Sequence, residues 1–318
     1  MSSTALRAAA TTFLRIAVSA GLLALLLARF GVRDVLEVCL RASPGELSIA
    51  FAIYLASQLL SALRWERLAR GVGFDVKYVR YARLYLIGMF FSLAVPSTLG
   101  ADAVRAVLLG RQPPGRTLAL SSVAFDRLIG LVSLIAVAVV ALLLHPSADL
   151  PSSVNSSIIV GGTAIIAVWL VTPMAARRLP EASRLRRLIA LDLAPYFRDH
   201  QLLVSAATLS ILVHALQIAS QYALAGALGL SLSPLFVAVY HPLVSLAASV
   251  PLTIGGFGLR EAAYAYLLPR AGVPPNDAVA LGLLWWAVGA MSALLGGLIY
   301  LLSPGEKLGL VRRKAGRG

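Results

Sequence analysis

Two arginines of the chain occupy equivalent places in a motif that occurs twice. Val, Pro, Thr, Gly and Arg recur at the same spacing in Val95-Pro-Ser-Thr-Leu-Gly-Ala-Asp-Ala-Val-Arg105 and in Val250-Pro-Leu-Thr-Ile-Gly-Gly-Phe-Gly-Leu-Arg260. Each copy interrupts an apolar stretch with Pro and Gly, which break a helix and permit a tight turn. The helix that restarts offers unpaired amides and the positive end of its dipole, and arginine adds a planar fork that matches phosphate. The motif predicts an anion-binding site containing Arg105 and Arg260.

Two threonines of the motif, Thr98 and Thr253, precede the restarted helices and are predicted to cap them. The sequence leaves an alternative open, in which both arginines only satisfy loose carbonyl groups of their own broken helices. The occurrence of one arrangement in both halves favours the binding function.

Further charged residues lie inside or beside apolar stretches: Asp102, Asp126, Arg127 and Glu261. A charge buried in a membrane costs at least a few kcal/mol, so each is expected to pair or to face a wet cavity. Asp126 can hold Arg105 or Arg127, or take up and release a proton, and Glu261 offers the same choice beside Arg260. A purely structural ion pair fits the sequence equally well.

Polar side chains are also spaced to share one face of two apolar helices. The two sets are Ser57, Ser61 and Arg64, and Ser210, His214, Gln217 and Gln221. We predict a polar groove to which Arg64, His214 and Gln217 contribute substrate contacts. Hydrogen bonding between helices explains the same spacing equally well.

No catalytic residue, cofactor or metal site is predicted. Cys39 is the only cysteine, and His145, His200 and His241 have no partners at metal-ligand spacing, so they are interpreted as incidental. P-loop, HExxH and DxD sequences do not occur. The pair Trp285-Trp286 is interpreted as packing or lipid contact. These patterns favour movement of a substrate over chemical change, so the chain is predicted not to be an enzyme.

The elements that must position these residues are membrane helices. Hydrophobic residues make up 59% of the 318 residues and charged residues 13%, unlike a soluble globular protein. The predicted fold class is all-α, with one polytopic transmembrane domain over residues 1–318. Two interrupted regions, 81–110 and 233–268, carry the motif. Apolar runs near the ~20 residues that a bilayer requires predict six full spans at 11–30, 46–63, 117–144, 156–175, 201–228 and 278–302.

Positive charges set the predicted orientation. Arg and Lys concentrate at 64–83, at 177–198 and in the basic tail 303–318, which places these segments and both termini in the cytoplasm. Each interrupted region must then enter and leave on one side as a re-entrant hairpin. The result is two inverted-topology repeats, 11–144 and 156–302, with a substrate site near the midplane. The net charge of +14 indicates affinity for anionic lipid head groups, and no nucleic-acid partner is predicted.

Three segments resemble the lysylphosphatidylglycerol synthase transmembrane, or flippase-like, family. They are Phe91-Ser-Leu-Ala-Val-Pro-Ser-Thr-Leu-Gly-Ala-Asp-Ala-Val-Arg105, Ser122-Val-Ala-Phe-Asp-Arg-Leu-Ile-Gly130 and Pro251-Leu-Thr-Ile-Gly-Gly-Phe-Gly-Leu-Arg-Glu261. The resemblance covers nearly the whole chain, and the last segment is its most specific part. It implies a bacterial inner-membrane protein related to the flippase half of the multiple-peptide-resistance synthases. By matching positions it implies functional roles for Arg105, Asp126, Arg127, Arg260 and Glu261.

Two departures from the family pattern affect the expected function. The chain ends at Gly318, so a soluble synthase domain is not expected and neither is synthesis of lysyl-lipid. Gly100-Ala101 stands where the family often has Gly-Gly, which is expected to alter packing at the first break.

The sequence and the resemblance together predict a lipid translocator. It would move the head group of an anionic or zwitterionic phospholipid, or of a polyprenyl-phosphate glycolipid, between leaflets. One alternative is an intramembrane transferase that acts on the same lipids, with Asp126 and Glu261 as its only acid–base candidates. Another is a non-catalytic membrane partner of a separate glycosyltransferase or lipid synthase.

Overall fold

The structure is a computed structural model that describes residues 17–22, 24–26, 28–94, 100–144, 156, 160–164, 167, 171, 196, 198–249, 253, 256–303 and 306. Across this described part the regular structure is helical, and no strand occurs in it. The predicted all-α fold class is confirmed. The predicted Thr98 and most of the basic segments 177–198 and 303–318 lie outside the described residues.

Within the described residues we number nine helices in chain order. They are α1 Val32–Arg41, α2 Pro44–Gly71, α3 Tyr78–Ala94, α4 Gly100–Leu109, α5 Arg116–Leu144, α6 His200–Ala227, α7 Pro234–Ser249, α8 Leu259–Leu267 and α9 Pro275–Leu302. Proline suits the first turn of a helix, where its missing N–H would have no partner, and it begins α2, α7 and α9. Asp199 is the N-cap residue of α6, and its side chain accepts a hydrogen bond from the Leu202 amide at 2.9 Å.

Four of these helices, α2, α5, α6 and α9, are long and apolar enough to cross a membrane. They coincide with the predicted spans 46–63, 117–144, 201–228 and 278–302. The chain is therefore a multi-pass membrane protein. The other two predicted spans, 11–30 and 156–175, fall partly or mostly outside the described residues, so the total of six stays a prediction.

The second span extends further than its apolar run indicates. The sequence analysis ends this span at residue 63 and assigns the following arginines to a connecting segment, whereas α2 continues to Gly71. Arg64 is therefore a helical residue, and its side chain is buried. A helix can carry an arginine at this depth because a carboxylate on another helix pairs with it. The hydropathy of a single segment does not reveal that partner.

The order of helices in the first half recurs in the second. A long helix, two shorter ones and another long helix follow as α2 to α5 and again as α6 to α9. The lengths are 28, 17, 10 and 29 residues, then 28, 16, 9 and 28 residues. The main contacts recur as well: α3 packs on α9 as α7 packs on α5, and α5 packs on α6 as α9 packs on α2. The two halves therefore share an order of helices and a pattern of contacts.

The equivalent helices α2 and α6 lie side by side in opposite directions. The Ser43 amide donates to the Ala227 carbonyl at 2.9 Å, which joins the start of α2 to the end of α6. Towards the other end Arg67 of α2 donates to the Ser205 hydroxyl of α6. One buried apolar cluster, around Trp65, lies in the first half, and a second, around Tyr240, is formed mainly by the second half together with Ala50 of α2.

Gly296 of α9 permits a very close helix contact in the described structure. A Cβ atom added there would lie 1.9 Å from the Leu86 carbonyl oxygen of α3, so Gly296→Ala must push α3 and α9 apart. We expect this change to lower the free energy of unfolding by an amount near the upper end of the roughly 1–3 kcal/mol that overpacking costs, because the atom in the way belongs to the backbone. The apparent Tm in detergent should fall. Gly289→Ala on the same helix is the control, since its added Cβ would lie 3.4 Å from the Tyr54 hydroxyl. Equal effects of the two changes would contradict the predicted clash.

Candidate functional site

A cavity of about 860 Å³ lies among the helices of both halves, and every helix from α2 to α9 contributes to its wall. The two arginines of the repeated motif, 155 positions apart in the sequence, line this same cavity. Among the described residues of the wall, four arginines and two aspartates face the cavity, and these six residues have a formal excess of two positive charges. These charged residues are Arg64, Asp102, Arg105, Asp126, Arg127 and Arg260.

Arg105 is the centre of a charge network on the first-half side of the cavity. Its Nη2 donates to Asp102 Oδ1 at 2.6 Å, and its Nη1 donates to Asp126 Oδ2 at 3.3 Å. Arg127 Nε donates to the other Asp102 oxygen at 2.6 Å, and Arg64 Nε donates to the other Asp126 oxygen at 2.7 Å. Each carboxylate thus accepts hydrogen bonds from two arginines. All members are buried except Arg127, whose side chain is 59% exposed.

The helices around α4 hold Arg105 in this network. Asp102 and Arg105 are three residues apart on α4, so their side chains share one face. Gly88 of α3 makes room for the arginine, because an added Cβ there would lie 2.9 Å from Arg105 Cγ. The guanidinium carbon lies 4.6 Å from the ring centre of Tyr85 and 4.9 Å from that of Trp65. Both ring faces attract a cation at this distance, so the aromatic side chains add to the stabilisation of the buried charge.

Arg64 connects the two polar helix faces that the sequence spacing predicts. Besides Asp126, it donates from Nη1 to the Ser210 hydroxyl of α6 at 2.9 Å. Gly130 of α5 lies beside the guanidinium, and an added Cβ there would be 3.2 Å from Arg64 Nη1. The Gly130 carbonyl in turn lies 3.1 Å from His214 Nε2. Helices α2, α5 and α6 therefore meet through polar groups at the cavity wall.

Arg260 enters the cavity from the first turn of α8. Before α8 the chain turns sharply, with positive φ angles of 78° at Gly256 and 86° at Gly258. A side chain at Gly256 would also collide with α7, because an added Cβ would lie 2.6 Å from Ala248 Cβ. Glu261 Oε2 accepts a hydrogen bond from the Gly258 amide at 2.6 Å. One amide at the start of α8 is therefore occupied by the protein's own carboxylate.

Eight of the eleven predicted substrate-binding residues line the cavity. They are Arg64, Asp102, Arg105, Asp126, Arg127, His214, Gln217 and Arg260. Thr253 and Glu261 are buried and are not among the described residues of the wall. The predicted capping role of Thr253 is wrong, because Gly258 is the N-cap residue of α8. The sequence analysis offered Arg105 or Arg127 as the partner of Asp126. The structure pairs Asp126 with Arg105 and Arg64, and it pairs Arg127 with Asp102.

The described wall also contains residues that were not selected from the sequence, among them Tyr54, His241 and Trp285. The sequence analysis interpreted His241 as incidental and Trp285 as a packing or lipid-facing residue. Neither belongs to a repeated motif or to a polar spacing pattern, so no sequence feature singled them out. Their position in the wall depends on how α2, α7 and α9 are rotated in the folded chain.

The electrostatics of the cavity suit an anion. No group of three His, Cys, Asp or Glu side chains that could hold a metal ion occurs in the part of the chain that the structure describes. Both aspartates of the described wall are bound by two arginines each. Because the described arginines outnumber these aspartates, the excess charge of the described wall is positive. Buried guanidinium groups form strong charge-assisted hydrogen bonds with phosphate or carboxylate oxygens.

Comparison with known proteins identifies one matching family. The family model described as "Lysylphosphatidylglycerol synthase TM region" matches residues 12–297, which include every described residue of the cavity wall. A search of curated proteins finds no match to the chain.

Proposed function

Because the chain belongs to the lysylphosphatidylglycerol synthase TM region family, we propose that this membrane protein is a lipid translocator. The cavity would hold the head group of an anionic or zwitterionic phospholipid, or of a polyprenyl-phosphate glycolipid, while the acyl or prenyl chains stay in the hydrocarbon layer. The guanidinium groups would replace head-group water during passage, which lowers the cost of moving a phosphate through the bilayer.

A single observation carries this proposal: Arg105 and Arg260, from two copies of one motif, line one positively charged cavity. Arginines that only satisfied the carbonyl groups of their own broken helices would not need to meet in a shared cavity. The network around Arg105 also keeps that charge in place without a bound lipid, since both of its partners are fixed carboxylates. A preformed site of this kind binds without a large reorganisation cost.

We further propose that the two halves are inverted repeats with re-entrant hairpins. Two observations support this topology. Helix α2 packs antiparallel to α6, and the main helix contacts of the first half recur between the corresponding helices of the second. The helices next to the breaks are short: a rise of about 1.5 Å per residue makes α4 about 15 Å long, against a hydrocarbon core of about 30 Å. The basic segments would place both termini on the cytoplasmic side of a bacterial inner membrane.

We propose transport rather than catalysis because the carboxylates that face the cavity are held by arginines. Asp102 and Asp126 each accept from two guanidinium groups. These charge-assisted hydrogen bonds hold the carboxylates against the arginines and away from a reacting group of a substrate. Glu261 caps α8 and does not belong to the described cavity wall. The proposed partner is therefore a membrane lipid, supplied by or delivered to a separate lipid-modifying enzyme.

Vesicles that contain the purified full chain test the proposed function. Fluorescent phosphatidylglycerol is distributed over both leaflets, and a membrane-impermeant reductant then destroys the label in the outer leaflet. We expect the inner-leaflet label to become accessible over minutes with the protein and to remain protected in protein-free vesicles. A water-soluble fluorophore trapped inside the vesicles monitors membrane defects, because the reductant destroys it only if it leaks in, and labelled polyprenyl phosphate tests the second lipid class. Equal rates with and without protein for both phosphate lipids would contradict the proposal.

A further inference from the structure

Helix α1 is too short to cross a membrane, although it lies between the apolar run 11–30 and the membrane-spanning helix α2. Its ten residues extend about 15 Å at a rise of about 1.5 Å per residue. Gly31, with a φ angle of 79°, precedes it. Ala42 and Ser43 follow with non-helical ψ angles of 135° and 117° before α2 begins. The chain therefore changes direction at both ends of α1.

Contacts place α1 at one end of the membrane-spanning helices. The Ser43 amide, just past α1, donates to the Ala227 carbonyl, where α6 ends. Val35 of α1 is 2% exposed and packs with Val279 and Ala280 near the start of α9. Helix α2 is about 42 Å long, and a bilayer with its head groups is about 40–45 Å thick. Because α1 lies at the first end of α2, it lies near the level of the head groups.

One stripe of α1 is apolar and exposed. Val32, Leu36 and Leu40 follow one another at intervals of four residues, so they share a face of the helix. These side chains are 58%, 55% and 76% exposed. They differ from Val35 and the other α1 residues of its cluster, which pack against the protein. Ile49 of α2 is also exposed, so a membrane-spanning helix has exposed apolar surface at this end of the molecule as well.

The neighbouring stripe of α1 is charged. Arg33, Glu37 and Arg41 also follow at intervals of four, and each lies one position after a residue of the apolar stripe. Both arginines are exposed, and each donates to the Glu37 carboxylate. A guanidinium group has five N–H donors, so both arginines retain donors beyond the bond to Glu37. The helix thus presents hydrocarbon and charge side by side along its whole length.

Only a boundary between hydrocarbon and water suits both stripes. In water the three exposed apolar side chains would lose the stabilisation that burial gives them. Within the hydrocarbon layer the charged stripe would be costly to place. A helix in the plane of the membrane interface turns its apolar face towards the acyl chains and its charged face towards the head groups.

We propose that α1 is an interfacial helix that binds the surface of one lipid leaflet, at the end of α2 away from Arg67 and Arg70. Val32, Leu36 and Leu40 contact the acyl chains just below the head groups, and the charged stripe lies in the head-group layer. This interaction surface is separate from the cavity and does not depend on lipid translocation.

Single-cysteine variants of the full chain in lipid nanodiscs test this placement. Cys39, the only natural cysteine, is replaced by Ala, and Leu36→Cys or Glu37→Cys then carries a polarity-sensitive fluorophore. These adjacent residues lie at nearly the same level along α1 but in different stripes. We expect the label at position 36 to emit at shorter wavelength, and iodide to quench the label at position 37 several-fold more strongly.

Brominated lipids measure the depth of the label at position 36. An interfacial helix buries its apolar face about 5–10 Å, so lipid brominated near the head group should quench this label more than lipid brominated near the chain end. Ile211→Cys is the control, because Ile211 is an exposed residue well inside the spanning helix α6 and should show the reverse order. Leu40→Cys is a second variant with the result expected for position 36. The apparent Tm verifies that each labelled chain is folded.

Three results would overturn the interfacial placement. Equal iodide quenching at positions 36 and 37 would show that the apolar stripe faces water. Protection of position 36 from both iodide and brominated lipid would show that protein covers the stripe, such as a second copy of the chain. Stronger quenching at position 36 by the deeply brominated lipid would show that α1 is inserted into the hydrocarbon layer.

Discussion

We expect Asp126→Asn to lower the free energy of unfolding by about 3–5 kcal/mol, the cost of removing one partner from a buried ion pair. Asp126 accepts from Arg64 at 2.7 Å and from Arg105 at 3.3 Å, and all three side chains are at most 6% exposed. The amide keeps the shape of the carboxylate but leaves two guanidinium groups close together without their shared negative charge. Thermal unfolding in detergent should show an apparent Tm lower by roughly 10 °C.

Glu37 provides a matched control for this change. It also accepts from two arginines, Arg33 at 3.0 Å and Arg41 at 3.4 Å, but the glutamate is 45% exposed and both arginines more so. Exposed pairs of this kind contribute about 0–1 kcal/mol, so Glu37→Gln should leave the apparent Tm nearly unchanged. Similar shifts for the two variants would show that burial of the Asp126 pair does not matter for stability.

Arg260→Gln should slow the translocation of phosphatidylglycerol by about 10- to 100-fold, as expected for the loss of a hydrogen bond between charged groups. Arg260 is half-buried and lines the cavity, so its loss removes half of the excess positive charge. Arg105 is less suitable for this test. Its removal would leave Asp102 and Asp126 with one arginine each, and a folding defect would mask the effect on transport.

Arg270→Gln is the control for the transport measurement. Arg270 belongs to the same half of the chain, is exposed, donates to the Tyr266 carbonyl and is not among the described residues of the cavity wall. The vesicle assay should give the rate of the unmodified chain for this variant. A rate for Arg260→Gln equal to that of Arg270→Gln would remove Arg260 from the proposed transport path. Circular dichroism and the apparent Tm of each variant verify that the compared proteins are folded.

The two halves of the cavity differ although the helices that build them are equivalent. The first half supplies the ion network of Arg105, and the second supplies Arg260. Individual side chains, and not the order of the helices, therefore set the distribution of charge around the cavity.

The amino-acid sequence by itself determined the helical class and four of the spans. Apolar runs and Pro–Gly breaks are local properties, so they can be read without knowledge of the fold. The sequence also selected eight residues of the described cavity wall, since a charged or polar residue inside an apolar run is costly and needs a partner.

The tertiary structure alone decided which of these residues meet. The pairing of Arg64 with Asp126, 62 positions away, depends on how α2 and α5 are rotated and packed, and neither segment records this locally. For the same reason α2 could continue past its apolar run, and His241 and Trp285 joined the wall without any sequence pattern to mark them. The interaction energy of two side chains that are far apart in the sequence changes when their helices move by a few ångströms. The positions of the helices depend in turn on the packing of the whole chain.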